Sequence, residues 1–176
     1  YPAAAALLAF DVLAVSQSPP RFGTSIPLCS APHGLAIAAH LPQGFVGVDG
    51  GAVAVIEADV HARGVNRVLA VIQTSAKKNV DLVDYDPSGH LLWAASSDEG
   101  VLTKIDVIRD LAIGHATLQA GLEQPRYNPA DHLLYLPDQT KNLLYQIDPK
   151  RIAVTRQWNL GVACSPTGMA IEPKHD

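Results

Sequence analysis

Six polar side chains have the types and the spacing to do chemistry: His33, Asn79, Asp81, Glu123, Arg126 and Thr167. They stand just before or at the start of short β-rich runs. Asn79, Asp81 and Glu123 offer oxygen ligands of the kind a hard divalent cation such as calcium takes. His33, Arg126 and Thr167 add donors and acceptors able to orient a small ligand or a partner. Each also has a plainer reading. His33 lies between Pro32 and Gly34, as a turn residue would. Asn79 and Asp81 flank Val80, where capping alone accounts for them, and Glu123 precedes Gln124-Pro125, where bonding to solvent or backbone suffices. Arg126 suits the wall of a channel or an acidic partner.

No Gly-x-Ser-x-Gly elbow, phosphate-cradling glycine loop or metalloprotease histidine pair occurs in the sequence. Asp49-Gly50-Gly51 is a hairpin-turn signal. Lys77-Lys78 reads as a solvated loop. The formal charge of -4, with both signs interspersed, argues against a nucleic-acid surface, which needs a basic stripe.

The elements that position these residues come from an internal repeat. Residues 85–93 (Tyr-Asp-Pro-Ser-Gly-His-Leu-Leu-Trp) align without a gap on 127–135 (Tyr-Asn-Pro-Ala-Asp-His-Leu-Leu-Tyr), an offset of 127 − 85 = 42. Leu102-Thr103-Lys104-Ile105-Asp106 falls on Leu144-Tyr145-Gln146-Ile147-Asp148 at the same offset. Weaker copies lie at 7–11, 32–37, 53–57 and 166–171. A period of about 40–45 residues belongs to the blades of a β-propeller. Asp86-Pro87 and Asn128-Pro129 are turn formers, because the Asx side chain bonds nearby amides and proline presets φ. The runs at 91–95 and 133–136 then read as second strands, 101–106 and 143–148 as third strands, and 152–158 as an outer strand alternating with period two. A two-helix solenoid of similar period would need apolar residues at i, i+3, i+4 and i+7 over ten or more positions, and these segments are shorter and broken by Gly, Pro and Asp.

The expected architecture is all-β: one partial propeller domain over 1–176, with four-stranded blade units near 34–72, 81–118 and 125–158 and partial blades at 1–26 and 166–176. The last unit supplies only an inner strand at 168–171, so the chain reads as a truncated arc of a six- or seven-bladed ring. The recurring acids Glu57, Asp106 and Asp148, and the recurring His90 and His132, serve blade geometry. Cys29 and Cys164 fall three blades apart, too far for a disulfide. The apolar run from Ala3 to Phe10 is well short of the roughly 20 residues that span a bilayer. With no initial Met and no basic segment ahead of it, that run does not read as a signal peptide.

The motifs Pro32-His33-Gly34-Leu35-Ala36-Ile37 and Val53-Ala54-Val55-Ile56-Glu57 resemble the YVTN-type repeats of bacterial extracytoplasmic propellers. The stretch from Leu122-Glu123-Gln124-Pro125-Arg126 to Ile147-Asp148 is similar to the opening blade of the gluconolactonase/senescence-marker lactonase family. Cys164-Ser165-Pro166-Thr167-Gly168-Met169 resembles the next inner-strand motif in both groups. The first resemblance implies a periplasmic or secreted module that binds a small ligand, a protein or a cell surface. The second implies a calcium ion in the central funnel, held by Glu123 with Asn and Asp residues of other blades; this chain carries Gln124 where that family has a small residue. The leading expectation is a non-catalytic binding module acting through its central rim, and the alternative is a metal-dependent lactone hydrolase.

Overall fold

The computed structural model describes residues 6–10, 22–38, 40–58 and 67–172. They form an arc of a β-propeller. A two-stranded sheet of β1 (Ala6–Phe10) and β2 (Phe22–Pro27) precedes three four-stranded antiparallel blades. Blade 1 is β3 (Pro32–Ala38), β4 (Gln43–Val48), β5 (Ala52–Glu57) and β6 (Val68–Gln73). Blade 2 is β7 (Leu82–Asp86), β8 (Leu91–Ser96), β9 (Val101–Asp106) and β10 (Leu111–Thr117). Blade 3 is β11 (Arg126–Asn128), β12 (Leu133–Asp138), β13 (Leu143–Asp148) and β14 (Ala153–Asn159). In each blade the strands follow one another in sheet order as a simple meander. Among the described residues there is no helix, and none long and apolar enough to cross a membrane.

Burial follows radial position. The second and third strands of blade 1 are buried almost throughout, because neighbouring sheets cover both of their faces. Their sequences read accordingly as unbroken apolar runs rather than alternation. The outer strand β10 instead alternates exposed and half-buried residues along its whole length, since one face meets solvent. Two apolar layers fasten the blades together. Phe45, Val53 and Val55 of blade 1 pack with Val83, Leu92 and Ile105 of blade 2. Trp93, Ala95 and Leu102 of blade 2 pack with Leu134, Leu136 and Ile147 of blade 3.

The turns form as their residue types predict. Asp86 Oδ1 accepts the amides of Ser88 (2.8 Å) and Gly89 (3.3 Å), and Asn128 Oδ1 accepts that of Ala130 (3.1 Å). Asp106 and Asp148 do the same two residues on, for Ile108 (3.0 Å) and Lys150 (2.8 Å). This is why an acid recurs at each strand end. His90 and His132 occupy left-handed corners of equivalent turns, at φ 52° and 59°. Cys29 and Cys164 are both free and exposed. The inner strand expected at 168–171 is not formed: residues 160–172 lie outside any strand, and Arg126 Nε holds the Met169 carbonyl at 3.0 Å.

Candidate functional site

The meander places the starts of the inner strands, the β4–β5, β8–β9 and β12–β13 turns and the blade-to-blade connections at one end of the arc. Each connection rides on the turns of the two blades it joins. The Val80 amide bonds the Val48 carbonyl (3.1 Å), and the Asp81 amide bonds the Ala95 carbonyl (3.0 Å). One blade later Gly121 bonds the Ser97 carbonyl (2.8 Å) and Glu123 that of Pro137 (2.9 Å). Backbone amides thus fix the connections; Val80 and Leu122 turn into the core, and the polar side chains of Asn79, Asp81 and Glu123 stand beside them.

On that frame Asn79, Asp81 and Glu123 come together. Asn79 Nδ2 donates to Asp81 Oδ1 (2.7 Å), and Asp81 Oδ2 accepts the Ser97 amide (2.7 Å). Both Asp81 oxygens are therefore engaged. Asn79 Oδ1 is buried without a hydrogen-bond partner. Glu123 is half-buried, and among the described residues its carboxylate makes no hydrogen bond or ion pair. Burial pushes the Glu123 carboxyl above its ordinary value, and the nearby Asp81 carboxylate adds to the rise. The pair is a negative spot with one carboxylate unpaired. Among the described residues no three His, Cys, Asp or Glu side chains are grouped so as to hold a metal ion.

The other candidates are placed differently. His33 is exposed, and its Nε2 lies 2.8 Å from Asp49 Oδ1 on the β4–β5 turn. Arg126 opens the inner strand β11, where Nη1 meets Asp84 Oδ1 at 2.8 Å. The second Asp84 oxygen accepts the Tyr127 amide (2.8 Å), and Gln124 Nε2 donates to the Val83 carbonyl (2.8 Å). An innermost strand is an edge strand with unpaired backbone groups; across the junction of blades 2 and 3, Asp84 and Gln124 pair such groups, and Arg126 fixes the Asp84 carboxylate. Burial raises the Asp84 carboxyl, against the pull of the Tyr127 amide and the Arg126 guanidinium. Thr167 is exposed and makes no hydrogen bond among the described residues.

Asp84 was legible in the repeat, since 126 − 84 = 42 puts opposite charges at equivalent positions of adjacent inner strands. Asp49 and Glu99 carried no comparable signal. Glu99 Oε2 accepts the amides of Lys77 (2.7 Å) and Lys78 (2.9 Å), so the Lys77-Lys78 loop is held by its backbone. The Lys78 and Lys77 amides hold the Glu99 carboxyl below its usual 4.5. A depressed acid stabilises the fold above its unfolded value, and that contribution is lost as pH falls through the lower, folded value. Glu99→Gln should therefore flatten the loss of stability below about pH 4.5, read as urea midpoints against pH. Superimposable acid limbs would refute the role.

At the opposite end, a groove of about 460 Å³ between blades 2 and 3 is lined by Asp86, Ser88, Lys104, Tyr127, His132 and Lys150, among others. Tyr127 Oη lies 2.8 Å from both Ser88 Oγ and His132 Nδ1.

No family model matches the sequence, and no curated protein matches it. Solved structures do. Chaetomium thermophilum Sqt1 bound to the N-terminus of ribosomal protein L10 is 17% identical, with a TM-score of 0.71 over 88% of this chain and 44% of that one. The WD40 domain of Toxoplasma gondii coronin is 16% identical, with a TM-score of 0.68 over 80% and 37% of the two chains. Kuenenia stuttgartiensis hydrazine synthase is 15% identical, with a TM-score of 0.62 over 72% and 35%. This chain thus spans less than half the length of each. At such identities the likeness establishes the propeller fold and nothing of the chemistry.

Proposed function

We propose that this chain is part of a partner-binding propeller whose rim receives a cationic group of a protein partner at Glu123 and Asp81. The carrying observation is the half-buried Glu123 carboxylate, which no group of the described chain pairs, beside a second carboxylate already fully bonded. A partly desolvated acid of this kind gains most from a lysine or arginine brought in from outside. Sqt1, bound to a protein N-terminus, offers a precedent for peptide capture on this fold. A periplasmic or secreted setting belongs to the same proposal and rests on the resemblance of the repeats to extracytoplasmic propellers.

Fluorescence anisotropy with lysine-rich and glutamate-rich peptides of equal length tests the reading. The basic peptide should bind, should weaken as salt rises, and should lose roughly tenfold in affinity to Glu123→Gln. Equal binding of both peptides, or no effect of the variant, would refute it. The lactone-hydrolase alternative puts calcium at Glu123 instead. Calcium-dependent lactone turnover that Glu123→Gln abolishes would replace the peptide reading with that one.

A further inference from the structure

The two junctions between complete blades repeat one arrangement at the end away from the rim. An inner-strand tyrosine reaches the histidine five residues on in its own blade and a turn residue of the preceding blade. Between blades 2 and 3 the trio is Ser88, Tyr127 and His132, a simple hydrogen-bonded chain. Between blades 1 and 2 a histidine, His40, stands on the β3–β4 turn where the other junction has Ser88. Tyr85 Oη lies 2.9 Å from His40 Nε2 and 3.3 Å from His90 Nδ1, and the two nitrogens are 3.5 Å apart.

We propose that His40, Tyr85 and His90 bind a first-row divalent transition ion of the zinc class, which clamps blade 1 to blade 2. The spacing suits such an ion. Ligands at about 2.0–2.1 Å in a tetrahedral shell are separated by about 3.3 Å, close to the three distances here. The donor set fits as well: two imidazoles and a phenol oxygen favour zinc or copper(II) over calcium and magnesium, which take oxygen shells. Hydrogen bonds satisfy the trio only when one imidazole takes the tautomer that donates to the phenol oxygen. One cation accepts all three lone pairs at once.

The ligands are held in place beforehand. Buried Phe45 stacks on Tyr85, with ring centroids 5.9 Å apart and planes at 26°. The His90 carbonyl accepts the Val107 amide at 3.1 Å, and His40 lies within the turn closed by the Leu41 amide on the Ala38 carbonyl (3.0 Å). Both histidines are exposed, so an ion has access and a fourth position for water. Coordination displaces the Tyr85 phenol proton to solvent, so binding releases one proton. Burial and the Asp86 carboxylate hold that phenol above its ordinary value, which makes the release an opposing term the ion must overcome.

The test is calorimetric titration of this chain with zinc, calcium and magnesium. One zinc per chain is expected, with neither of the other ions taken up. His40→Ser and Tyr85→Phe should each weaken zinc binding by roughly tenfold or more, and His132→Ala should leave it unchanged. Circular dichroism without metal checks that the variants fold; His40→Ser reproduces the trio of the other junction. Copper(II) should give a tyrosinate charge-transfer band in the native chain that Tyr85→Phe lacks. Zinc binding no tighter than calcium, unchanged affinity in His40→Ser, or full affinity and an unchanged band in Tyr85→Phe would each overturn the site.

Discussion

Trp93→Ala is expected to lower the free energy of unfolding by about 3–5 kcal/mol and to uncouple blade 3 from the rest of the arc. Trp93 is fully buried on β8, and the side chains it meets belong largely to the next blade: Leu122 in the connection, then Leu134, Leu136, Tyr145 and Ile147. Removing the indole leaves a void in the apolar layer between the two sheets. Stability in a repeat fold is approximately a sum of unit and interface terms, so a damaged interface lets the units melt separately. The buried indole N–H also lacks an acceptor. Trp93→Phe should therefore cost less than the volume alone suggests, since it deletes an unsatisfied donor along with the contacts. The chain has two tryptophans, and in either variant the remaining one, Trp158 on β14, reports blade 3 alone. Its urea transition should fall below that seen by far-ultraviolet circular dichroism. Coincident transitions at the native midpoint would refute the interface role.

Gly47→Ala is expected to destabilise the arc by about 1–3 kcal/mol and to damage the rim in the same step. Gly47 lies buried in β4, and a Cβ there would fall inside the contact shell of the Val80 carbonyl oxygen, with Val80 Cγ1 at 2.9 Å. The obstruction is backbone, so the connection itself must shift. That connection carries Asn79 and Asp81 on either side of Val80, and its Val80 amide is bonded to the Val48 carbonyl at 3.1 Å. Displacing it separates Asp81 from the Ser97 amide and from Glu123. Basic-peptide affinity should then fall with stability, whereas Trp93→Phe should lower stability and spare the peptide. A Gly47→Ala chain of native stability, with native peptide binding, would show that β4 and the connection do not press together as described.

The amino-acid sequence by itself determined the repeat and the blade. The run at 101–106 is β9 and that at 143–148 is β13, while 91–95 became β8 with one further residue. Those strands are local matters: an Asx-Pro corner, a short apolar run and an acid that caps the next turn act within ten residues, so they are readable in order along the chain. The periodicity also marked Asp81 and Glu123 as equivalent positions. Which side chains meet was decided only in three dimensions. Arg126 is captured by Asp84 of the preceding blade, while Glu123, three residues earlier, is left unpaired. Gln124, the departure from the lactonase pattern, donates to the Val83 carbonyl across the same junction. His33 is engaged by Asp49 within its own blade. His40 gave no signal at all, because it stands outside the 42-residue register and meets Tyr85 and His90 only when blade 1 docks on blade 2. The contacts of Arg126, Gln124 and His40 cross a blade junction, so they depend on the angle and offset between adjacent blades. That geometry is set by the apolar layers around Phe45 and Trp93, not by the spacing of the polar residues themselves.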